Sequence, residues 1–162
     1  MTSLIDTVLP VVVLLGVVGC GLMAGLFFAF STSVMPGLRR LAPADGAAAM
    51  QQMNRTILNP LFGVVFGGTA VVCLLLLVGA LVSGPAGAVW IVLGALLYLV
   101  GSIGFTMVVN VPMNNRLDAA DPASAEGARI WTDYLSRWTA WNHVRALACV
   151  AATAALAAGL WA

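Results

Sequence analysis

Hydrophobic positions fall into four long runs, over residues 8–30, 60–82, 89–110 and 141–161, separated by segments where polar side chains return. A hydrocarbon layer about 30 Å thick takes roughly 20 apolar residues of α-helix to cross. Each run therefore predicts one transmembrane helix. The whole chain, residues 1–162, predicts a single domain, an all-α membrane protein built as a four-transmembrane-helix bundle. The first run exceeds the apolar core of a signal peptide and no basic residue precedes it, which predicts a retained span. Ser83-Gly84-Pro85 marks a tight turn between the second and third runs, because glycine and proline punctuate chains in this way. So short a connection makes those two helices antiparallel neighbours.

Both longer connections have helical periodicity of their own, which predicts a short amphipathic helix in each. In the first, Pro43-Ala44-Asp45 reads as a helix start, and Ala47, Met50, Met53, Ile57 and Leu58 recur at three- and four-residue spacing. In the second, Asp121-Pro122-Ala123 opens a segment carrying Ala128, Trp131, Tyr134, Leu135 and Trp138, with aromatics suited to a membrane interface. Gly16, Gly19, Gly21 and Gly25 in the first span, and Gly63, Gly67 and Gly68 in the second, form small-residue spacings that allow close helix packing in lipid.

Composition supports a bilayer environment: 8% of residues are charged and 62% hydrophobic, where soluble domains carry about a quarter charged residues. A net charge of +1, with no clustered basic face, excludes nucleic acid as a partner. All seven cations are arginines: Arg39, Arg40 and Arg55 in the first long loop, Arg116, Arg129 and Arg137 in the second, and Arg145 just inside the last span. The positive-inside rule places those loops in the cytoplasm and both termini outside, as expected of a bacterial-type inner-membrane protein. Cys20, Cys73 and Cys149 fall near mid-membrane, one in each of three spans, and read as small packing residues. One histidine and six scattered acids supply no metal-ligand set.

Polar chemistry gathers at the cytoplasmic ends of the spans. Asn59 precedes the second span, Asn110 and Asn114 close the third, and Tyr134, Trp138, Trp141, Asn142, His143 and Arg145 lead into the fourth. Asn110 and Asn114, four residues apart with Thr106 a turn deeper, share a helix face that serves either interhelical hydrogen bonding or ligand contact. Pro112 should bend that helix. Tyr134, Trp138, Trp141, Asn142 and Arg145 fall in one helical sector, able to hold a flat aromatic ligand through stacking and a guanidinium or to anchor the helix at the interface. His143 is the side chain suited to proton transfer near neutrality. It lies two residues from Arg145, roughly 160° around an ideal helix, so both reach one pocket only on a distorted helix or with a ligand that wraps around it.

The segments Phe27-Phe28-Ala29-Phe30-Ser31, Val34-Met35-Pro36-Gly37-Leu38, Asn110-Val111-Pro112-Met113-Asn114 and Trp138-Thr139-Ala140-Trp141-Asn142-His143-Val144-Arg145 resemble those of the anthrone oxygenase-like family of small four-span membrane proteins. The resemblance implies a cofactor-independent oxygenase that oxidises an anthrone to a quinone. His143, Arg145 and Asn110 would then be catalytic, and Asn114, Trp138, Trp141, Asn142, Tyr134 and Asn59 would bind substrate, with no metal. His143 would act as general base, while Arg145 and the asparagines would stabilise the oxyanion. The partners expected are the bilayer and a hydrophobic small molecule or lipid, and a homo-oligomer is compatible with this reading. Two alternatives stand beside it: a non-catalytic module binding lipid or quinone, and a helical subunit of a membrane complex, the latter predicting outward-facing glycine stripes.

Overall fold

The computed structural model describes the backbone from Leu4 to Ala162 and side chains from Val8 onward. The described residues are helical, with no strand. The first rod comprises α1 (Leu4–Ala29), a wide-turned segment π1 (Phe30–Val34) and α2 (Met35–Leu38), and α3 (Pro43–Thr56) follows across a short loop. Next come α4 (Pro60–Ser83) and a third rod made of α5 (Ala88–Tyr98), π2 (Leu99–Gly104), π3 (Thr106–Asn110) and α6 (Val111–Asp118). A single 35-residue helix, α7 (Ala125–Gly159), completes the chain. Among the described residues three stretches are long and apolar enough to cross a membrane: Val8–Leu38, Pro60–Ser83 and Ala88–Asp118.

Three of the expected boundaries move. The helix expected in the second loop is not separate, because Ser124, rather than the Asp121-Pro122 pair, caps α7 by accepting from Gly127 N–H at 2.9 Å, and the helix runs unbroken into the last apolar run. The first and third rods likewise continue past residues 30 and 110. Proline explains how. Pro36 and Pro112 cannot donate a backbone hydrogen bond, and each ring crowds the carbonyl one turn earlier. In both rods the turn just ahead of the proline widens: Met35 N–H donates to the Phe30 carbonyl and Val111 N–H to that of Thr106, each five residues back. The helix continues instead of breaking, and such π-turns often mark functional sites.

α7 packs against α1 and α5, while α4 sits at the periphery against α1 and α5. The α4–α5 connection is the expected tight turn, with left-handed glycines at Gly84 (φ 53°) and Gly87 (φ 74°), a conformation that side-chain-bearing residues disfavour. Small residues set the closest approaches: a Cβ on Gly19 would collide with Thr69 Oγ1, and one on Gly101 would stand 2.5 Å from Ala148 Cβ. Gly63 and Gly67 do not serve the bundle as expected. α4 packs through Thr69, Cys73, Leu76 and Ala80, and a Cβ on either glycine would meet nothing within 4 Å. That outward placement is what a helical-subunit role would use.

Two apolar cores result. One, in the middle of the bundle, contains Cys20, Cys73, Cys149, Tyr98 and Leu156. The other joins α2, α3, α6 and the N-terminal part of α7 through Met35, Met50, Leu117, Trp131, Tyr134 and Trp138. α3 is held to this second core by Gln51, whose Nε2 donates to the carbonyls of Leu117 at 2.8 Å and Ala120 at 2.9 Å.

Candidate functional site

A cavity of about 240 Å³ lies between the two cores, and its wall is mostly apolar, with Leu26, Phe27, Phe30, Met50, Ile57 and Phe62 among its residues. Polar side chains collect on the walls supplied by α3, π3, α6 and α7: Asn54, Thr106, Asn114, Asn142 and Arg145, with Arg55 and Asp118 also lining the space.

Arg145 dominates the electrostatics. Its residue is 4% exposed, yet the three ion pairs among the described residues, Arg55–Asp118 at 2.7 Å, Arg129–Glu126 and Arg137–Asp133 at 3.5 Å, all leave it out. Neutral groups hold it instead. Nη1 donates to Thr106 Oγ1 at 3.0 Å and Nη2 to Asn142 Oδ1 at 2.7 Å, while Nε has no partner among the described residues. The guanidinium carbon lies 4.3 Å from the centre of the Phe27 ring and 5.3 Å from that of Trp138. Cation–π contacts of this kind contribute roughly 0.5–2 kcal/mol each. Burying an ion costs several kcal/mol even after relaxation, so the pocket holds a positive charge that its own residues only partly compensate.

Asn142 fixes that guanidinium from behind. Its Nδ2 donates to the Phe27 carbonyl and to Ser31 Oγ, both at 2.7 Å, so its oxygen is left for Arg145. The Phe27 carbonyl is close to π1, where the helical pattern loosens. A second group centres on Asn114, whose Oδ1 accepts from Tyr134 O–H and Trp138 Nε1, each at 2.8 Å. Tyr134 and Trp138 stack with ring centres 5.5 Å apart. Burial pushes the Tyr134 phenol well above its ordinary range, which keeps it a neutral donor.

Of the residues expected at a site, Asn114, Trp138, Asn142 and Arg145 line one cavity, with Tyr134 supporting Asn114 from outside it. The others lie elsewhere. His143 is exposed and does not line the cavity, because α7 stays a regular helix through this region and turns it away from Arg145. Asn110 is 1% exposed and lies outside the cavity wall, with both amide atoms unpartnered among the described residues. The wide turns of π3 shift it off the line joining Thr106 and Asn114, which do face the cavity. Trp141 packs on Phe105, with ring centres 5.0 Å apart. Asn59 caps α4, its Oδ1 accepting from Phe62 N–H at 3.0 Å. Asp118 and the Phe27 carbonyl were not expected; a backbone acceptor has no sequence signal, and Asp118 reaches the cavity only because the third rod continues past Pro112.

Among the described residues no three His, Cys, Asp or Glu side chains group as a metal site. Three membrane-length apolar stretches around a cavity with one buried guanidinium define the class: a helical integral membrane protein with an internal pocket. The anthrone oxygenase family profile matches residues 60–155, and the chain belongs to that family. The matched part includes Thr106, Asn114, Trp138, Asn142 and Arg145, whereas Phe27, Ser31 and α3 precede it. No curated protein and no solved structure matches the chain.

Proposed function

We propose that this protein is a membrane-embedded oxygenase that binds a hydrophobic phenolic or anthrone-like substrate as its conjugate base and converts it to a quinone. The observation that carries the reading is Arg145: a buried guanidinium without a carboxylate partner, on the wall of a largely apolar, ligand-sized cavity. Fixed positive charge in a water-poor site stabilises an oxyanion far more than bulk water would. Leu58 and Leu61, 78% and 74% exposed beside the cavity's α3–α4 edge, suit a substrate arriving laterally from lipid.

The chemistry balances with dioxygen as the oxidant. Loss of a proton from the doubly benzylic carbon leaves a delocalised anion whose charge rests on oxygen beside Arg145. Carbon–oxygen bond formation with dioxygen and protonation yield a hydroperoxide. Cleavage of its O–O bond with loss of the remaining C–H proton then gives the ketone and one water. Asp118 is the carboxylate on the cavity wall and, with water, offers a way out for the first proton. His143, on the outer face, has no part in this scheme. The fourth span belongs to the same proposal: beyond Arg145, α7 carries no charged residue to its end, which supports a crossing that brings both termini outside and leaves the arginine loops in the cytoplasm.

Oxygen uptake by the purified protein in nanodiscs, with anthrone as substrate, tests the reading. Quinone formation above the spontaneous rate, falling at least about 100-fold in Arg145→Met as for loss of an oxyanion-stabilising donor, is the expected result. Equal rates with and without protein would overturn it.

A further inference from the structure

The hydrogen bonds around Asn114 settle which end of its amide meets a ligand. An indole N–H can only donate, so the Asn114 atom 2.8 Å from Trp138 Nε1 is the oxygen. Tyr134 O–H donates to the same oxygen at 2.8 Å, and Asn54 Nδ2 approaches the Tyr134 oxygen at 3.4 Å. Both acceptor positions of Asn114 Oδ1 are thereby occupied by buried aromatic donors. Its Nδ2 has no partner among the described residues and, unlike the amide of Asn110, keeps some accessible surface, in a residue that lines the cavity. Asn142 offers no equivalent, because its nitrogen and oxygen are both engaged within the protein.

We infer that Asn114 is a specificity-determining residue: with its oxygen held by Tyr134 and Trp138, its amide nitrogen donates to a second, uncharged acceptor oxygen on the ligand whose anionic oxygen pairs with Arg145. This rests on the anion reading above and deepens it. The cavity selects planar, apolar anions that carry a further carbonyl-type oxygen over those of the same shape and charge that lack one. A ligand presenting a donor at that point meets another donor and is disfavoured.

The test is equilibrium binding of positional isomers of fluorenone carboxylate, each beside its fluorene counterpart, which has the same rings and charge without the ketone. Wild-type protein in nanodiscs should prefer one fluorenone isomer over its counterpart about fivefold to tenfold, the net effect of one hydrogen bond. Asn114→Leu should reduce that ratio to about one, with any general loss of affinity from the disturbed Tyr134–Trp138 pair falling equally on the fluorene acid. Asn114→Asp keeps the acceptor for Tyr134 and Trp138 and replaces the amide nitrogen with oxygen, so it should abolish or invert the ratio in a protein whose unfolding temperature is preserved. A loss of fold would not change the ratio selectively. Equal binding of every pair by wild type, or a ratio retained in both variants, would overturn the role of Asn114 while leaving the anion site standing. Failure of every acid to bind wild type, or binding unaffected by Arg145→Met, would instead overturn the underlying anion reading.

Discussion

Arg145 shows how far one side chain's surroundings constrain function. A guanidinium cannot shed its proton to escape burial as a lysine can, so Thr106, Asn142 and two aromatic faces hold it charged while leaving Nε unpartnered among the described residues. Much of this was legible in the sequence, because Asn114, Trp138, Asn142 and Arg145 stood out as polar or amphipathic residues at one depth. His143 stood out for its chemistry alone, and a ring two positions from Arg145 on an undistorted helix faces away. His143→Ala should therefore retain anthrone oxidation within about twofold of wild type in steady-state oxygen uptake, since the exposed ring does not line the cavity. A loss comparable to that of Arg145→Met would return the proton-transfer role to His143.

Elements position these residues through two proline-linked wide turns. Pro112 was visible as a helix disruptor, and a bend was the natural expectation there; Pro36 was not singled out. What periodicity could not supply is that the chain would absorb each proline in a π-turn and continue, carrying Asn114 and Asp118 to the cavity and setting Asn110 aside. Glycine spacing was equally ambiguous, since identical patterns occur on packed and lipid-facing surfaces. Gly19 and Gly63 separate the two cases. Gly19→Ala, which forces a methyl against Thr69 Oγ1, should lower stability by about 1–3 kcal/mol, as overpacking does. Gly63→Ala, whose new methyl meets nothing within 4 Å, should be neutral or slightly stabilising through helix propensity. Unfolding of the two variants in detergent, followed by circular dichroism, distinguishes them.

At the scale of the molecule, the four rods leave a gap where the mid-bundle core gives way to the core that α2, α3, α6 and α7 build, and the cavity occupies it. Hydropathy anticipated the rods, and three meet the length and apolarity of a span. α7 is harder to read by composition, because Asn142, His143 and Arg145 dilute its apolar half. Its membrane placement can be probed with a maleimide that does not cross membranes. Ser83→Cys, in the short turn, should react in intact cells, whereas Ser136→Cys, on the exposed face of α7, should react only after the membrane is opened. The reverse pattern would invert the proposed orientation.

Titrating a bound hydroxyanthraquinone and following the visible band of its phenolate shows whether Arg145 makes the cavity a site for an oxyanion. A nearby buried cation favours the ionised phenol, whereas apolar burial alone disfavours it. The ligand's pKa should fall by about one unit or more on binding wild type, and the fall should disappear or reverse in Arg145→Met. An unchanged or raised pKa in wild type, or the same pKa in both proteins, would contradict an oxyanion site at Arg145.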